Sequence, residues 1–189
     1  MALRPITYRS KIFKMVPDNL EQDFSPRKAN VPYRSILFIC DANTCRSPMA
    51  EAMLKKMLAD LEGKTREIKV KSAGIAPRAR DDSAITWDVE WLLKEEGIRV
   101  ENFRSRDLKR HGELLEEADL VLTMSQEQKT RVYQLPKTDG KVIYTLREFV
   151  GEVGDIDDPF GEGDAAYAHC RDEIKVCLQK LITKLLAHT

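Results

Sequence analysis

The sequence lacks any long hydrophobic run. No apolar stretch approaches the roughly 18 residues that a membrane-crossing helix requires, so no helical span and no membrane partner are expected. It has no surplus of charge: 31 basic and 31 acidic residues cancel, which argues against a nucleic-acid binder driven by electrostatics. Cysteine is scarce, with four in 189 residues, and the first thirty residues hold no continuous apolar core of the export-signal kind. The cysteines are therefore expected as thiols and not as a disulfide framework, with the reducing cytoplasm as the compartment. Histidine is scarcer still. His111, His169 and His188 stand at no ligand spacing with the cysteines, so neither a metal site nor a cofactor is expected.

What is present fits one domain with a substantial core: 42% apolar and 33% charged residues over 21.6 kDa. The zero net charge hides an asymmetry. Residues 1–34 carry seven Lys/Arg against three Asp/Glu, and Pro5, Pro17, Pro26 and Pro32 interrupt any periodic pattern, so this segment reads as a basic extension. The domain is expected over residues 35–189. Ile36-Leu37-Phe38-Ile39 has the continuous apolar character of a strand buried on both faces. Ser47-Pro48 reads as an N-cap and first position opening a helix with Met49, Met53, Leu54 and Leu58 on its face. A second strand is expected from the cluster Glu67–Lys71, ending at Ser72-Ala73-Gly74, and helices over about 83–96 and 107–117. Leu120-Val121-Leu122 and Val142-Ile143-Tyr144 read as two more strands, with a helix capped by Ser125 between them. Tyr167, Cys170, Ile174, Cys177, Leu178, Leu181 and Leu185 recur at three- and four-residue spacing and predict a final helix with both cysteines in the core. Alternating strands and helices predict an α/β fold: a three-layer sandwich with a four-stranded, mainly parallel sheet and helices on both faces.

In such sheets ligands bind beyond the carboxyl ends of the strands. There the chain reads Cys40-Asp41-Ala42-Asn43-Thr44-Cys45-Arg46-Ser47-Pro48. A cysteine and an arginine separated by five residues can wrap a loop around a tetrahedral oxyanion. Loop amides and a helix N-terminus face the anion, and Arg46 offers a bidentate fork. The same positive field favours the thiolate of Cys40, with Ser47 stabilising it and Asn43 bracing the loop.

The loop resembles that of the low-molecular-weight protein phosphatase family, Cys-x-Gly-Asn-x-Cys-Arg-Ser-Pro. The resemblance continues through Met49-Ala50-Glu51-Ala52, Ser72-Ala73-Gly74, Ala118-Asp119-Leu120-Val121-Leu122 and Asp158-Pro159-Phe160-Gly161, covering residues 35–189 in order. It implies a phosphocysteine on Cys40, with Arg46 binding phosphate and Asp158 of the Asp-Pro loop as general acid, a role that contributes ~10²–10⁴-fold. Asp41, Ala42, Asn43, Thr44, Cys45, Ser47 and Phe160 would complete the phosphate and substrate site. Phosphorylated proteins are the implied substrates and inorganic phosphate the product. Asp155 and Asp157 are expected to help keep one carboxyl protonated through like charge.

Thr44 stands where members resembling tyrosine phosphatases usually carry an aliphatic residue and those resembling bacterial protein-arginine phosphatases carry Thr. With Asp158-Pro159-Phe160-Gly161, it points to phosphoarginine first and phosphotyrosine second. Two residues depart from the family pattern. Ala42 replaces Gly, at a strain cost if φ is positive there. Asp41 puts a negative charge beside the phosphate loop and, turned inward, would weaken anion binding. Cys45 is weighed as a disulfide partner protecting Cys40 against a reading as a small buried thiol. Trp87 and Trp91, one helical turn apart, are expected to pack. Arsenate reduction would need further cysteines able to reach Cys40, and a non-catalytic phosphate-binding or redox module would have shed one of Cys40, Arg46 and Asp158; both alternatives rank below the phosphatase. The sequence assigns no oligomeric state.

Overall fold

The structure, a computed structural model, describes residues 33–61 and 67–187. Apart from Tyr33 and Arg34, the expectation for the basic extension lies outside the described residues. Four strands form one sheet: β1 (Ser35–Cys40), β2 (Lys69–Gly74), β3 (Leu120–Thr123) and β4 (Val142–Thr145), in the order β2-β1-β3-β4 and parallel throughout. Around it lie α1 (Arg46–Asp60), α2 (Trp87–Glu95), α3 (Gly112–Glu117), α4 (Gln126–Tyr133), α5 (Leu146–Val150) and α6 (Asp164–Leu186).

Strand β1 is apolar at successive positions because both its faces are covered. Ile36, Phe38 and Cys40 join one core with α1, α2 and α6, while Leu37 and Ile39 join the other with Leu114, Leu115 and Val132 of α3 and α4. Ile36 and Phe38 are fully buried, and each such side chain contributes about 1.5–3 kcal/mol. With β2 on one side and β3 on the other, the carboxyl end of β1 opens between two neighbours reached by different crossovers, the place where parallel sheets leave a crevice. The final helix buries Tyr167, Cys170, Ile174, Cys177, Leu178, Leu181 and Leu185, the seven residues its spacing predicts.

Where local expectation and structure differ, backbone groups are engaged elsewhere. Helix α2 starts at Trp87 and not at 83, because Ser83 exchanges bonds with Ser105 (2.9 and 3.0 Å) and the Thr86 amide donates to Thr44 O (3.0 Å). Helix α3 begins at Gly112 because Asp107 bridges to Gly74 and the Leu108 amide donates to Gly74 O (2.8 Å). Strand β2 starts at Lys69, two residues after the expected start, and ends at Gly74 as expected, in register with the whole of β1. The first helix is capped by Cys45, with Ser47 already inside it; the Ser47 hydroxyl is used on the site, and Pro48 sits in the first turn, where a missing N–H costs nothing. Helix α5 opens with Thr145-Leu146-Arg147-Glu148, a capping box in which Thr145 and Glu148 satisfy each other's amides.

Candidate active site

Cys40 ends β1 and is 2% exposed. Its Sγ lies 3.0 Å from Ser47 Oγ. Ser47 Oγ accepts from Asn43 Nδ2 (2.9 Å) and has one proton of its own, with Ala73 O 3.4 Å away as the alternative acceptor. When Cys40 is a thiolate that proton points at the sulfur; when it is a thiol, the S–H donates and Ser47 turns to Ala73. Behind this pair runs a buried chain of bonds. Asn43 Nδ2 also donates to Ser72 Oγ (2.8 Å), Ser72 donates to Glu51 Oε2 (2.5 Å), and Arg106 closes the chain through its amide on Asn43 Oδ1 (2.9 Å) and its guanidinium on Glu51 (3.1 Å). Asn43, Ser47 and Ser72 are fully buried. A buried polar network is costly to disturb, and this one, in which Arg106 Nε, alone of the buried side-chain atoms, lacks a partner among the described residues, is tied to β2, α1 and the segment before α3.

The loop turns through Asn43 at φ 59°, a left-handed conformation that Asn tolerates better than most residues. Ala42 is not among the described residues with positive φ, so the strain expected from the missing Gly does not arise. The glycine the loop requires is Gly74. A Cβ there would lie 2.8 Å from Asp41 O and 2.9 Å from Ala42 C, because the amides of Ile75 and Ala76 pull Asp41 O onto the end of β2 (3.1 and 3.0 Å). The backbone amides of Asn43 through Ser47 donate to no other group among the described residues, which leaves them available to an anion at the N-terminus of α1.

Arg46 is 4% exposed on its side chain, and three partners hold it. One terminal nitrogen donates to Ile156 O (2.9 Å); the other meets Asp41 Oδ2 and Asp158 Oδ2, both at 2.7 Å. Its Nε is buried and, like those of Arg106 and Arg147, has no hydrogen-bond partner among the described residues, which leaves it able to donate to an anion in the loop. Burial works against the guanidinium charge, but Cys40, Asp158 and Asp41 more than offset it and hold Arg46 above its ordinary value.

Asp158 and Phe160 are exposed, Phe160 at 75%. Their loop is anchored by Ile156, 1% exposed, whose amide donates to Met124 O (2.9 Å) and whose carbonyl receives Arg46. Asp155 Oδ1 accepts from the Gln126 amide (2.9 Å) at the start of α4, and Asp158 Oδ2 lies 2.7 Å from Arg46. Thr44 is partly exposed, and its carbonyl receives the amide preceding Trp87. Trp87 and Trp91 stack as expected, 5.7 Å between centroids, but on the surface, 70% and 50% exposed.

All four cysteines are free. Burial first, then the nearby Cys170, Cys40 and Asp158, pushes the Cys45 thiol far up, as befits a small buried thiol. Burial likewise pushes Cys170 up to about 12 and Cys177 up to about 11.

The structure thus gathers Cys40, Asn43, Ser47, Arg46, Asp41 and Asp158 at the carboxyl end of β1. Sequence reasoning gave no role to Glu51, Ser72, Gly74, Arg106, Gln128 or Ile156. A charged Glu51 inside the apolar face of α1 was a readable signal, as was the Ser125-x-x-Gln128 capping box; Arg106 and Ile156 arrive through long-range contacts that leave no local mark.

A thiol, a buried guanidinium with an open donor and an exposed carboxylate around one loop define the class of cysteine-dependent phosphatases. The profile of the low molecular weight phosphotyrosine protein phosphatase family matches residues 35–189, and the chain belongs to that family. It is 40% identical over 157 residues to the protein-arginine-phosphatase of Geobacillus stearothermophilus, covering 82% of this chain and 97% of that one. It is 33% identical over 149 residues to the low molecular weight protein-tyrosine-phosphatase PtpB of Staphylococcus haemolyticus, covering 78% and 97%. A solved structure of the YwlE arginine phosphatase, a cysteine-to-serine variant with a phosphorylated active-site serine, is 36% identical, with a TM-score of 0.69 over 80% of this chain and 95% of that one. Among the described residues no helix is long and apolar enough to cross a membrane.

Proposed function

We propose that this phosphatase hydrolyses phosphoarginine in proteins through a phosphocysteine on Cys40. The observation that carries the reading is the convergence of two groups from opposite ends of the domain, Arg46 of the loop and Asp158 of the acid loop, 2.7 Å apart beside the Cys40–Ser47 pair. The phosphoryl group enters the loop and takes the free amides and the unpartnered Arg46 Nε. The Cys40 sulfur attacks phosphorus as the P–N bond breaks, and the leaving guanidino nitrogen takes a proton held at Asp158. The resulting carboxylate then receives a proton from the water that attacks the phosphocysteine, which releases inorganic phosphate and the Cys40 thiolate.

Phosphoarginine is preferred over phosphotyrosine on three supports: Thr44 in the loop, the Asp158-Pro159-Phe160-Gly161 sequence, and greater identity to an arginine phosphatase than to PtpB. A guanidinium offers planar donors that an exposed carboxylate can grip, which a phenol does not. The phosphotyrosine reading is kept by the family's own description and by PtpB. The test is kcat/KM on phosphoarginine and phosphotyrosine peptides of matched sequence, with Cys40→Ser as blank. A phosphoarginine preference that vanishes with the blank is expected. A phosphotyrosine preference would overturn the substrate, and turnover unchanged in Cys40→Ser would overturn the mechanism.

A further inference from the structure

An aspartate directly after the nucleophile is costly in a phosphate loop, yet Asp41 is held firmly in place. Its Oδ2 accepts from Arg46 (2.7 Å) and from Gln128 Nε2 (2.8 Å), and Arg131 lies 3.8 Å from its Oδ1. Gln128 is 1% exposed and itself fixed, because its Oε1 accepts from the amides of Met124 (3.0 Å) and Ser125 (3.2 Å) in the capping box of α4. With its oxygen engaged, the Nε2 of this buried side chain turns one of its N–H groups to Asp41. The Asp41 side chain remains 39% exposed and Asp158 45%, so both border the open mouth of the site. Their Oδ2 atoms approach the same Arg46 nitrogen, which places two carboxylates face to face across one donor.

That pairing has a consequence for the substrate. An entering phosphoryl group competes for Arg46 and takes its donors from Asp41 and Asp158. With a phenolic leaving group, Asp41 would then face the phosphoryl dianion with only Arg131, 3.8 Å from its Oδ1, as a cation beside it, and neither Asp41 nor Asp158 would gain a new N–H donor. A guanidino leaving group brings planar N–H donors to that gap and replaces what Arg46 withdrew. We propose that Asp41 is a specificity-determining residue which, paired with Asp158, selects a guanidinium-bearing leaving group and penalises a phenolic one. This rests on the phosphoarginine reading above but is scored separately from it.

The test compares wild type with Asp41→Asn and Asp41→Thr on the two matched peptides, and measures inorganic phosphate binding by calorimetry. Both variants are expected to lower kcat/KM on phosphoarginine by roughly tenfold, as for loss of one hydrogen bond to a charged group, while phosphotyrosine turnover holds or rises. Phosphate should bind several-fold tighter once the competing carboxylate is gone. Asp41→Thr guards against a fold defect in Asp41→Asn, and thermal melting of both confirms folding. Equal changes on the two peptides, or phosphate affinity unmoved in both variants, would overturn the role of Asp41. A wild-type preference for phosphotyrosine would instead sink the phosphoarginine reading, and the change of ratio on substitution would still decide Asp41.

Discussion

The two sides of the site are built to opposite specifications. Behind Cys40, the chain Ser47–Asn43–Ser72–Glu51 is buried, closed by the partly exposed Arg106, and pinned to three elements. In front, Asp41, Thr44, Asp158 and Phe160 are half or largely exposed and hang on the anchors Gln128 and Ile156. In the reading proposed above, the buried side braces the loop that would hold the phosphoryl group, which is the same in every phosphomonoester or phosphoramidate. The exposed side would meet whatever the phosphoryl group is attached to. A rigid polar network suits a fixed geometry, whereas residues on anchored loops can differ between relatives without disturbing the core. The difference teaches that the geometry of the Cys40 loop is fixed from the buried side, while the exposed side, Asp158 included, is left facing the open mouth of the site.

The largest effect expected from the exposed side is that of Asp158→Asn. It should cost about 10²–10⁴-fold in kcat/KM on the preferred peptide, with little change in melting temperature, since the side chain is 45% exposed. A variant that unfolds, or one that retains full turnover, would break the assignment of Asp158 to proton transfer.

A smaller effect sharpens the buried side. Exposure does not distinguish the thiols: Cys40 is 2% exposed, Cys45 7%, Cys170 3% and Cys177 1%. Their surroundings do. Cys40 faces Ser47 and feels Arg46, whereas burial pushes the other three thiols up, Cys170 to about 12 and Cys177 to about 11. Iodoacetamide near neutral pH, mapped by peptide mass spectrometry, should therefore label Cys40 first and reach the others only in denaturant. Labelling of Cys45 as fast as Cys40 would mean that access and not the Ser47–Arg46 environment governs reactivity.

Much of this was legible in the sequence, for physical reasons that differ by feature. The apolar run 36–39 and the helical spacing from Tyr167 to Leu185 report burial directly, so β1 and α6 stand where expected. The loop Cys40–Arg46 was readable because its chemistry sits on contiguous residues. Element starts were less legible: amides near 83–86 and 107–108 bond to partners distant in sequence, which no local pattern records. Helix α5 was overlooked although Thr145-x-x-Glu148 announces it. Gly74 is required by the backbone of Asp41 and Ala42, 32 or more residues earlier, and the Ser72–Glu51 link joins two elements that only the folded sheet brings together.

The division between the two sides is tested most directly by one paired measurement: kcat/KM on the matched phosphoarginine and phosphotyrosine peptides in Ser72→Ala and Thr44→Ile. Ser72→Ala strands Asn43 and Glu51 without their partner, a buried loss of about 1–3 kcal/mol. It should lower both activities by the same factor. Thr44→Ile should move the ratio toward phosphotyrosine. A ratio shifted by Ser72→Ala, or untouched by Thr44→Ile, would contradict the account.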